Sequence, residues 1–306
     1  MKKLIYIILP FVLFACSESA EKVEETIEFK TAKERLSYVL GAMNAKSIIG
    51  TQDPNIKRLD MEEIALGFNE NLSLKRPEGC DVTLSKLFGP NMQDFDTAYA
   101  KSGAHCMGRL TGYAFFKDIK KMGGMDQIDL KMAKIGFRHG LLKKDNIISE
   151  KEKQNIIQDF LKKLNELNGK KMMDAAKRIS GAQVFENGIV LQVLSEGKGG
   201  SPSPTDDVIV EYILTSALGD TIQSSYDMKK KSGSTEPVAL SLNGGVIPGW
   251  TYVVPKMKKG GKYRVYIPWQ EAYGEQMGRE SLCFMIELVD YGKGGSLVKP
   301  KVNTGM

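Results

Sequence analysis

The sequence predicts an α+β protein with an all-helical amino-terminal part and an antiparallel β-sheet near the carboxy terminus. From Ala32 to Ile179, apolar residues recur at the spacing of amphipathic helices. From Gly181 onward the apolar period changes to two, and turn-rich segments separate the runs, as is typical of antiparallel strands. A chain of 306 residues is long enough for two or three domains with cores of their own.

The first 15 residues have the pattern of an export signal. A basic start at residues 1–3 is followed by an apolar run that ends at Ala15 and is shorter than the ~20 residues of a membrane-spanning helix. The run ends in Leu13-Phe14-Ala15-Cys16, which resembles a bacterial lipobox. That resemblance implies a lipoprotein signal peptide over 1–15 and lipidation of Cys16. It places the protein in a bacterial cell envelope, anchored to the outer membrane and facing the periplasm or the surface. An ordinary signal peptide with an incidental cysteine is the alternative.

Residues 16–30 are polar and acidic, which predicts a tether between the lipid and the folded body. A helical domain is predicted over 31–146, and it contains an internal repeat of two helices joined by a loop. The first unit holds Leu40-Gly41-Ala42, Asp60 and residues 64–68, and the second holds Thr111-Gly112-Tyr113, Asp129 and residues 133–137. Both aspartates are candidate helix N-caps.

A long connecting helix is predicted over 147–180. Ser149 and Glu152 have capping-box spacing, and an uninterrupted amphipathic pattern follows, with Gly169 as a candidate bend. A β domain is predicted over 181–292 and a tail over 293–306. Later strands of this domain are predicted at 208–214, 238–242, 263–267 and 282–289, with one compact helix at 250–256.

Three cysteines remain besides the predicted lipidation site Cys16. Because an exported protein can oxidise its thiols, a Cys80–Cys106 bridge is one alternative. Unpaired thiols, with Cys283 as the third, are the other, because the sequence gives no distance between the cysteines.

Several kinds of chemistry lack a signature in the sequence. His105 and His139 are the only histidines, and both lie in the helical part. There is no P-loop, no nucleophile elbow and no paired-cysteine zinc spacing. The net charge of +6 is scattered, and no nucleic-acid motif accompanies it. The sequence therefore predicts no metal site, no cofactor and no nucleic-acid partner.

Aromatic and apolar residues from three predicted elements are the most specific pattern of the β domain. Val246-Ile247-Pro248-Gly249-Trp250 leads into the short helix, Ala272-Tyr273-Gly274 follows a strand, and Phe284 lies on the last strand. In this order they resemble the prolyl-binding pocket of FKBP-type peptidyl-prolyl cis-trans isomerases. The resemblance implies an FKBP-type half-barrel of antiparallel strands around a short helix.

The same resemblance assigns roles to individual residues. It implies catalytic roles for Tyr273, Gln223 and Tyr212. It implies that the substrate is bound by Trp250, Val246, Ile247, Phe284, Ile222, Val238 and Leu240. Rotation about an amide bond is opposed by a barrier of ~18–20 kcal/mol, and an apolar slot that dehydrates an X-Pro bond favours the twisted form. The Tyr273 phenol would orient the substrate carbonyl, and the Trp250 ring would form the floor of the slot.

The chain departs from the family pattern in the pocket. Ile222-Gln223 stands where the family usually has Phe-Asp, so an aromatic wall and a carboxylate are replaced. Val238 and Leu240 stand where phenylalanines are frequent. Only nine residues separate Gly274 from Phe284, a shorter loop than the family commonly has. Pro255 lies inside the predicted short helix, where it removes a backbone donor.

The helical repeat resembles the amino-terminal domain of Mip-like and FkpA-like isomerases, in which helices from two chains interlock as a dimer. A tandem repeat leaves two alternatives open, an intrachain pseudo-dimer and a larger homodimer. The expected function is isomerisation of X-Pro bonds in exported polypeptides during folding. A weakly active or inactive FKBP-like holdase that binds unfolded chains is the alternative, and a structural envelope protein with a vestigial isomerase domain is the third.

Overall fold

The computed structural model describes residues 27–91 and 93–298. The predicted signal peptide, Cys16 and most of the acidic tether lie outside the described residues, as does the end of the predicted tail. None of the helices in the described ranges combines the length and the apolar character that a membrane span requires.

Six α-helices precede the sheet in the described part of the chain. They are α1 (Ala32–Ile49), α2 (Met61–Glu70), α3 (Cys80–Phe88), α4 (Ala100–Lys121), α5 (Leu130–Leu141) and α6 (Glu150–Ala176). The three predicted N-caps are confirmed, because Asp60, Asp129 and Ser149 each accept a backbone N–H of the first turn that follows. The α+β fold class is likewise confirmed.

The helices of the two repeats pack across the units. α1 packs against α5, and α2 packs against α4. Glycines permit this close approach: a Cβ on Gly41 would lie 2.0 Å from the carbonyl oxygen of Ala133, and a Cβ on Gly108 would lie 1.9 Å from that of Ile64. Within this single chain the two repeat units thus interlock with each other, which is the geometry of the intrachain alternative.

These two crossings correct the predicted alignment of the repeats. Gly41 meets Ala133, and Gly108 meets Ile64, the residue that takes the place of Ala133 in the other unit. Gly41 is therefore equivalent to Gly108, one helical turn before the predicted partner Gly112. The predicted alignment used only the spacing of the glycines along the sequence. A glycine is needed where two helices cross, and the spacing does not show where that crossing lies.

A disulfide joins Cys80 at the start of α3 to Cys106 in α4, with the two Cα atoms 5.0 Å apart. The bridged alternative is the one that the structure contains. Cys283 is a free cysteine in the sheet.

α6 runs without interruption from the helical domain to the sheet domain. Its first turns are held by Lys153, a buried lysine that forms ion pairs with Asp145 and Glu150. Gly169, the candidate bend, does not interrupt this helix. A Cβ at Gly169 would lie 2.4 Å from Ser281 Oγ, so the glycine permits close contact between the helix and the sheet domain.

The strands of the sheet domain are β1 (Gln183–Val184), β2 (Val190–Ser195), β3 (Asp207–Thr215), β4 (Thr221–Ser224), β5 (Val238–Ser241), β6 (Lys262–Ile267) and β7 (Leu282–Gly292). They form a seven-stranded antiparallel sheet in the order β1-β2-β6-β7-β3-β4, and β5 pairs with the other half of the β3 edge that β4 occupies. Alternate residues of β6 and β7 are buried, so one face of the sheet forms the core.

Two helices of the sheet domain differ from the prediction. α7 (Ser225–Ser232) was not predicted; Ser224 caps it, and Lys229, Lys230 and Lys231 lie in its last turn. α8 (Pro248–Val253) packs Trp250 and Val253 into the core of the sheet. It ends earlier than predicted, and Pro255 lies in a following 3₁₀ turn, where its missing N–H does not interrupt an α-helix.

Candidate functional site

A cavity of about 110 Å³ lies between the sheet, α8 and the segment after β6. It is lined by Tyr212, Leu214, Gln223, Leu240, Gly245, Val246, Ile247, Trp250, Tyr273 and Phe284. A larger cavity of about 360 Å³ lies between α6 and the opposite face of the sheet. The smaller cavity is the candidate site, because it is the one built from the predicted aromatic residues.

Three aromatic rings form the deep part of the cavity. Trp250 is only 3% exposed, and its ring meets Phe284 edge to face at 5.3 Å and Tyr212 at 5.8 Å. Such edge-to-face pairs fix the orientation of the rings. The buried indole N–H of Trp250 has no hydrogen-bond partner among the described residues. The rings give the cavity a rigid apolar floor with one available donor.

Tyr273 lies at the rim of the cavity and is 41% exposed. It follows the 3₁₀ turn Trp269–Glu271 and precedes the 3₁₀ turn Gly274–Met277, so short turns on both sides hold its backbone. Burial raises the pKa of the Tyr212 phenol above its ordinary value, and the nearby Tyr273 contributes to the same shift. The Tyr212 phenol is therefore protonated at neutral pH and can donate a hydrogen bond.

Gln223 reaches the cavity from β4, beside the first turn of α7. Its side-chain N–H lies 3.3 Å from the sulfur of Met228, within the range of a weak hydrogen bond to sulfur. An amide in this position offers both a donor and an acceptor but no charge. The cavity therefore contains polar groups that can orient a neutral amide, and none of its lining residues is charged.

A buried polar group fixes the junction of β3 and α7 behind Tyr212. Ser225 Oγ accepts the backbone N–H of Tyr212 at 2.9 Å and donates to Glu211. Glu211, which is buried, also pairs with Lys229 of α7. Because the charge of Glu211 is paired and hydrogen-bonded, it can hold the two elements together without disturbing the apolar cavity.

Eight of the ten residues predicted for the pocket line the cavity, and two do not. Ile222 precedes Gln223 on β4 and is 44% exposed; because neighbouring strand residues point to opposite faces, it turns away when Gln223 turns in. Val238 packs against the core of the sheet domain beside the cavity instead of lining it. Its position two residues before Leu240 sets it further along β5.

Two lining residues were not predicted from the sequence. Leu214 lies two positions after Tyr212 on β3, so the period of the strand was a signal for it. Gly245 lies where a Cβ would be 2.6 Å from the carbonyl oxygen of Ser241, so the chain can turn there only without a side chain. No sequence signal separated this glycine from its neighbour Gly244.

Comparisons with known proteins agree with this geometry. Residues 199–289 match the family model described as FKBP-type peptidyl-prolyl cis-trans isomerase. The chain is 30% identical over 211 residues to the peptidyl-prolyl cis-trans isomerase Mip of Coxiella burnetii, covering 62% of this chain and 86% of that protein. The chain belongs to the FKBP-type peptidyl-prolyl cis-trans isomerases. This membership confirms the family and the enzyme class that the sequence predicted.

Other relatives place this FKBP-type chain in the Mip/FkpA group. It is 35% identical over 131 residues to the isomerase FkpA of Escherichia coli K12, a match that spans 46% of that protein. It is 26% identical over 178 residues to a Legionella longbeachae protein named outer membrane protein MIP, covering 73% of it. The crystal structure of FkpA from Escherichia coli is 27% identical, with a TM-score of 0.38, over 63% of this chain and 96% of that one.

Proposed function

We propose that this FKBP-type chain isomerises X-Pro bonds of exported polypeptides in the cavity between the sheet and α8. The observation that carries the proposal is the position of the Tyr273 phenol at the rim of a cavity whose floor is Trp250. The volume of about 110 Å³ is well below the ~300–1,000 Å³ of pockets for drug-sized ligands, and it suits one small ring such as that of proline.

The lining residues have different roles in isomerisation. The rings of Trp250, Tyr212 and Phe284 bind the prolyl ring and remove water from the X-Pro amide, whose planar resonance form water stabilises. The Tyr273 hydroxyl donates to the carbonyl of the residue before proline and holds it while the C–N bond rotates. Gln223 offers a neutral amide dipole to the same peptide. No covalent bond forms or breaks, so no nucleophile is required.

A protease-coupled assay on short X-Pro peptides tests this proposal. We expect the full-length chain, purified in detergent, to accelerate cis-to-trans conversion. Tyr273→Phe removes the donor and keeps the ring, so we expect kcat to fall with little change in KM. Trp250→Leu should weaken binding as well. A folded wild-type chain that gives no acceleration, even at high concentration, would refute the proposal.

A holdase is the second candidate function, and two observations favour it. Gln223 supplies no charge to the cavity, and the large side chains of Tyr273 at its rim and of Ile222, the chain neighbour of Gln223, are exposed. Such residues can hold an unfolded chain without turning over its X-Pro bonds. Suppression of aggregation by a chain that is inactive in the peptide assay would favour the holdase.

The location and assembly of the chain are also proposed. Cys16 carries the lipid and anchors the chain to the outer membrane; the lipobox supports this, and a relative is named an outer membrane protein. Loss of lipid labelling and release of the chain in Cys16→Ala are the expected results. The crossings of α1 with α5 and of α2 with α4 support an intrachain pseudo-dimer.

A further inference from the structure

The short segment after Tyr273 is attached to the connecting helix. We call residues Gly274–Ser281 the rim loop. The side-chain N–H of Asn165 in α6 donates to the carbonyl oxygen of Gly278 at 3.0 Å, and Lys162 of the same helix pairs with Glu275 at 3.4 Å. Gly169 of α6 lies directly against the side chain of Ser281 at the end of the rim loop. Successive turns of one face of α6 therefore follow the rim loop along its length.

Arg279 is the centre of this attachment. Its guanidinium donates to Glu166 of α6 and to Glu275 of the rim loop, both at 2.6 Å, and it lies 5.4 Å from the centre of the Trp269 ring. The hydrogen bond from Arg279 lowers the pKa of the Glu275 carboxyl below its usual value. One side chain thus joins the helix, the rim loop and the turn that precedes Tyr273.

The backbone of Arg279 indicates that this side chain is needed there. Its φ of 62° lies in the left-handed region, which costs a non-glycine residue stability and favours glycine. Such conformations persist where surrounding contacts determine them. Here the neighbouring Gly278 already has a φ of 62°, so an arginine follows a glycine in the same conformation. The contacts of the guanidinium offset the cost of this backbone.

Hydrogen bonds connect residues of the rim loop to the backbone on both sides of Tyr273. After it, the backbone N–H of Arg279 donates to the carbonyl oxygen of Gly274 at 3.1 Å. Before it, the backbone N–H of Trp269 donates to the buried Ser281 Oγ at 3.2 Å. The backbone on both sides of the exposed Tyr273 is therefore hydrogen-bonded to the rim loop, and the rim loop in turn contacts α6.

From these contacts we infer that α6 is part of the active site: through Arg279 and Asn165 it positions the Tyr273 hydroxyl over the cavity. The inference rests on the proposed isomerase function. Arg279 and Asn165 are positioning residues, since neither lines the cavity. The short rim loop, which departs from the longer loop of the family, is held from outside by the connecting helix α6.

Arg279→Gly is the sharpest test, because glycine adopts the left-handed backbone readily. The variant loses only the contacts of the Arg279 guanidinium with α6, the rim loop and Trp269, which we call the clamp. We expect kcat on a short X-Pro peptide to fall about tenfold with KM nearly unchanged, since small misplacements of an orienting group are costly. Asn165→Ala should act in the same direction. Arg279→Lys should be intermediate, because lysine keeps the charge but not the two-pronged geometry.

Lys170→Ala is the matched control. It removes the Lys170–Asp174 ion pair, which lies on the same helix and does not involve the rim loop. We expect kcat to remain within about twofold of wild type, since an exposed pair of this kind contributes little. An equal loss in Lys170→Ala and Arg279→Gly would show a general effect of α6 and would overturn the inference.

A double-mutant cycle separates positioning from a loss of stability. If Arg279 acts by orienting the Tyr273 hydroxyl, Arg279→Gly should cost about tenfold in the wild type and less than twofold in the Tyr273→Phe background. The same loss in both backgrounds would overturn the inference, as would an unaltered kcat in Arg279→Gly.

Amide exchange of residues 274–281 provides a readout that does not depend on activity. The clamp predicts exchange about tenfold faster in Arg279→Gly than in wild type, and no change in Lys170→Ala. If the wild-type chain proves inactive, the proposed function fails, and exchange then decides the clamp: faster exchange supports it and unchanged exchange refutes it.

Discussion

Gly41 of α1 lies directly against the backbone of Ala133 in α5, so close that a Cβ would be 2.0 Å from the carbonyl oxygen of Ala133. We expect Gly41→Ala to force the two helices apart and to lower the free energy of unfolding of the helical domain by about 1–3 kcal/mol, despite the better helix propensity of alanine. Urea unfolding followed by circular dichroism measures the change.

The exposed position Ser47 on the same helix provides the control for Gly41→Ala. Ser47→Ala should change the free energy of unfolding by less than about 0.5 kcal/mol, as is usual for surface positions. Equal stability of Gly41→Ala and wild type would contradict the close crossing.

The Cys80–Cys106 disulfide should stabilise the helical domain. The two cysteines are 26 positions apart. Closing a loop of that length lowers the entropy of the unfolded chain, which raises the free energy of unfolding by about 3.5 kcal/mol. We expect reduction, or Cys80→Ser combined with Cys106→Ser, to shift urea unfolding of the helices by an amount of that order. Cys283→Ser is the control, since Cys283 forms no disulfide. Stability that is insensitive to reduction would argue against the bridge.

Asp207 should make the stability of the sheet domain depend on acid. Hydrogen bonds from the backbone N–H groups of Val298 and Leu297 hold the pKa of its carboxyl below the usual value. The folded state therefore binds this proton less readily than the unfolded state does. The contribution of Asp207 is present above the unfolded pKa of ~3.9 and is lost as the pH falls through the lower, folded value.

Asp207→Asn tests this dependence. The variant should be less stable than wild type at pH 7, and the difference should narrow as the pH is lowered below about 4, because protonation removes the charge that the substitution has already removed. Urea unfolding followed by tryptophan fluorescence between pH 3 and 7 measures both trends. Identical pH profiles for the two proteins would refute the role of this carboxylate.

Val246 and Ile222 should differ in their effect on activity. Val246 lines the cavity, so Val246→Ala should lower kcat/KM on an X-Pro peptide about tenfold, as expected when methyl groups are removed from a hydrophobic pocket. Ile222 is 44% exposed and lies outside the cavity, so Ile222→Ala should stay within about twofold of wild type. The reverse order of effects would place Ile222 on the wall where the family resemblance had put it.

The molecular mass in solution should be that of one chain. Because each helix pair of the two repeats is completed inside the chain, we expect size-exclusion chromatography with light scattering on the detergent-purified protein to give the mass of one chain after subtraction of the detergent, which is 33.9 kDa less the cleaved signal peptide and plus the lipid. A clean mass of two chains would favour the homodimer.

The local patterns of the sequence predicted most elements, because caps and periodicity are set by neighbouring residues. Asp60, Asp129 and Ser149 cap the helices as expected. The antiparallel sheet with its short helix was expected from the family resemblance. The match of Gly41 with Gly112 was wrong by one turn, since a helix crossing is fixed by a partner that is distant in sequence.

Contacts between the domains were the part that the sequence did not predict. Gly169 had the pattern of a bend and proved to be a contact point, because the reason for its missing side chain is Ser281, more than a hundred positions away. The position of Arg279 depends in the same way on Glu166. Ile222 was assigned to the pocket by the family resemblance, and the direction of its side chain depends on the local course of β4.

The interlocking of both repeat units within one chain has a consequence for how clients are held. A base assembled from two chains would present two catalytic domains to the same unfolded polypeptide, and a client bound at two points gains avidity. Here the crossings at Gly41 and Gly108 are completed within a single chain, in which residues 199–289 match the FKBP-type family model. If the proposed intrachain pseudo-dimer is the assembly in solution, a client with several prolines meets one isomerase site per base and must leave that site before the next proline can enter it. Release of the client then depends on one contact only, which favours repeated short visits over prolonged capture.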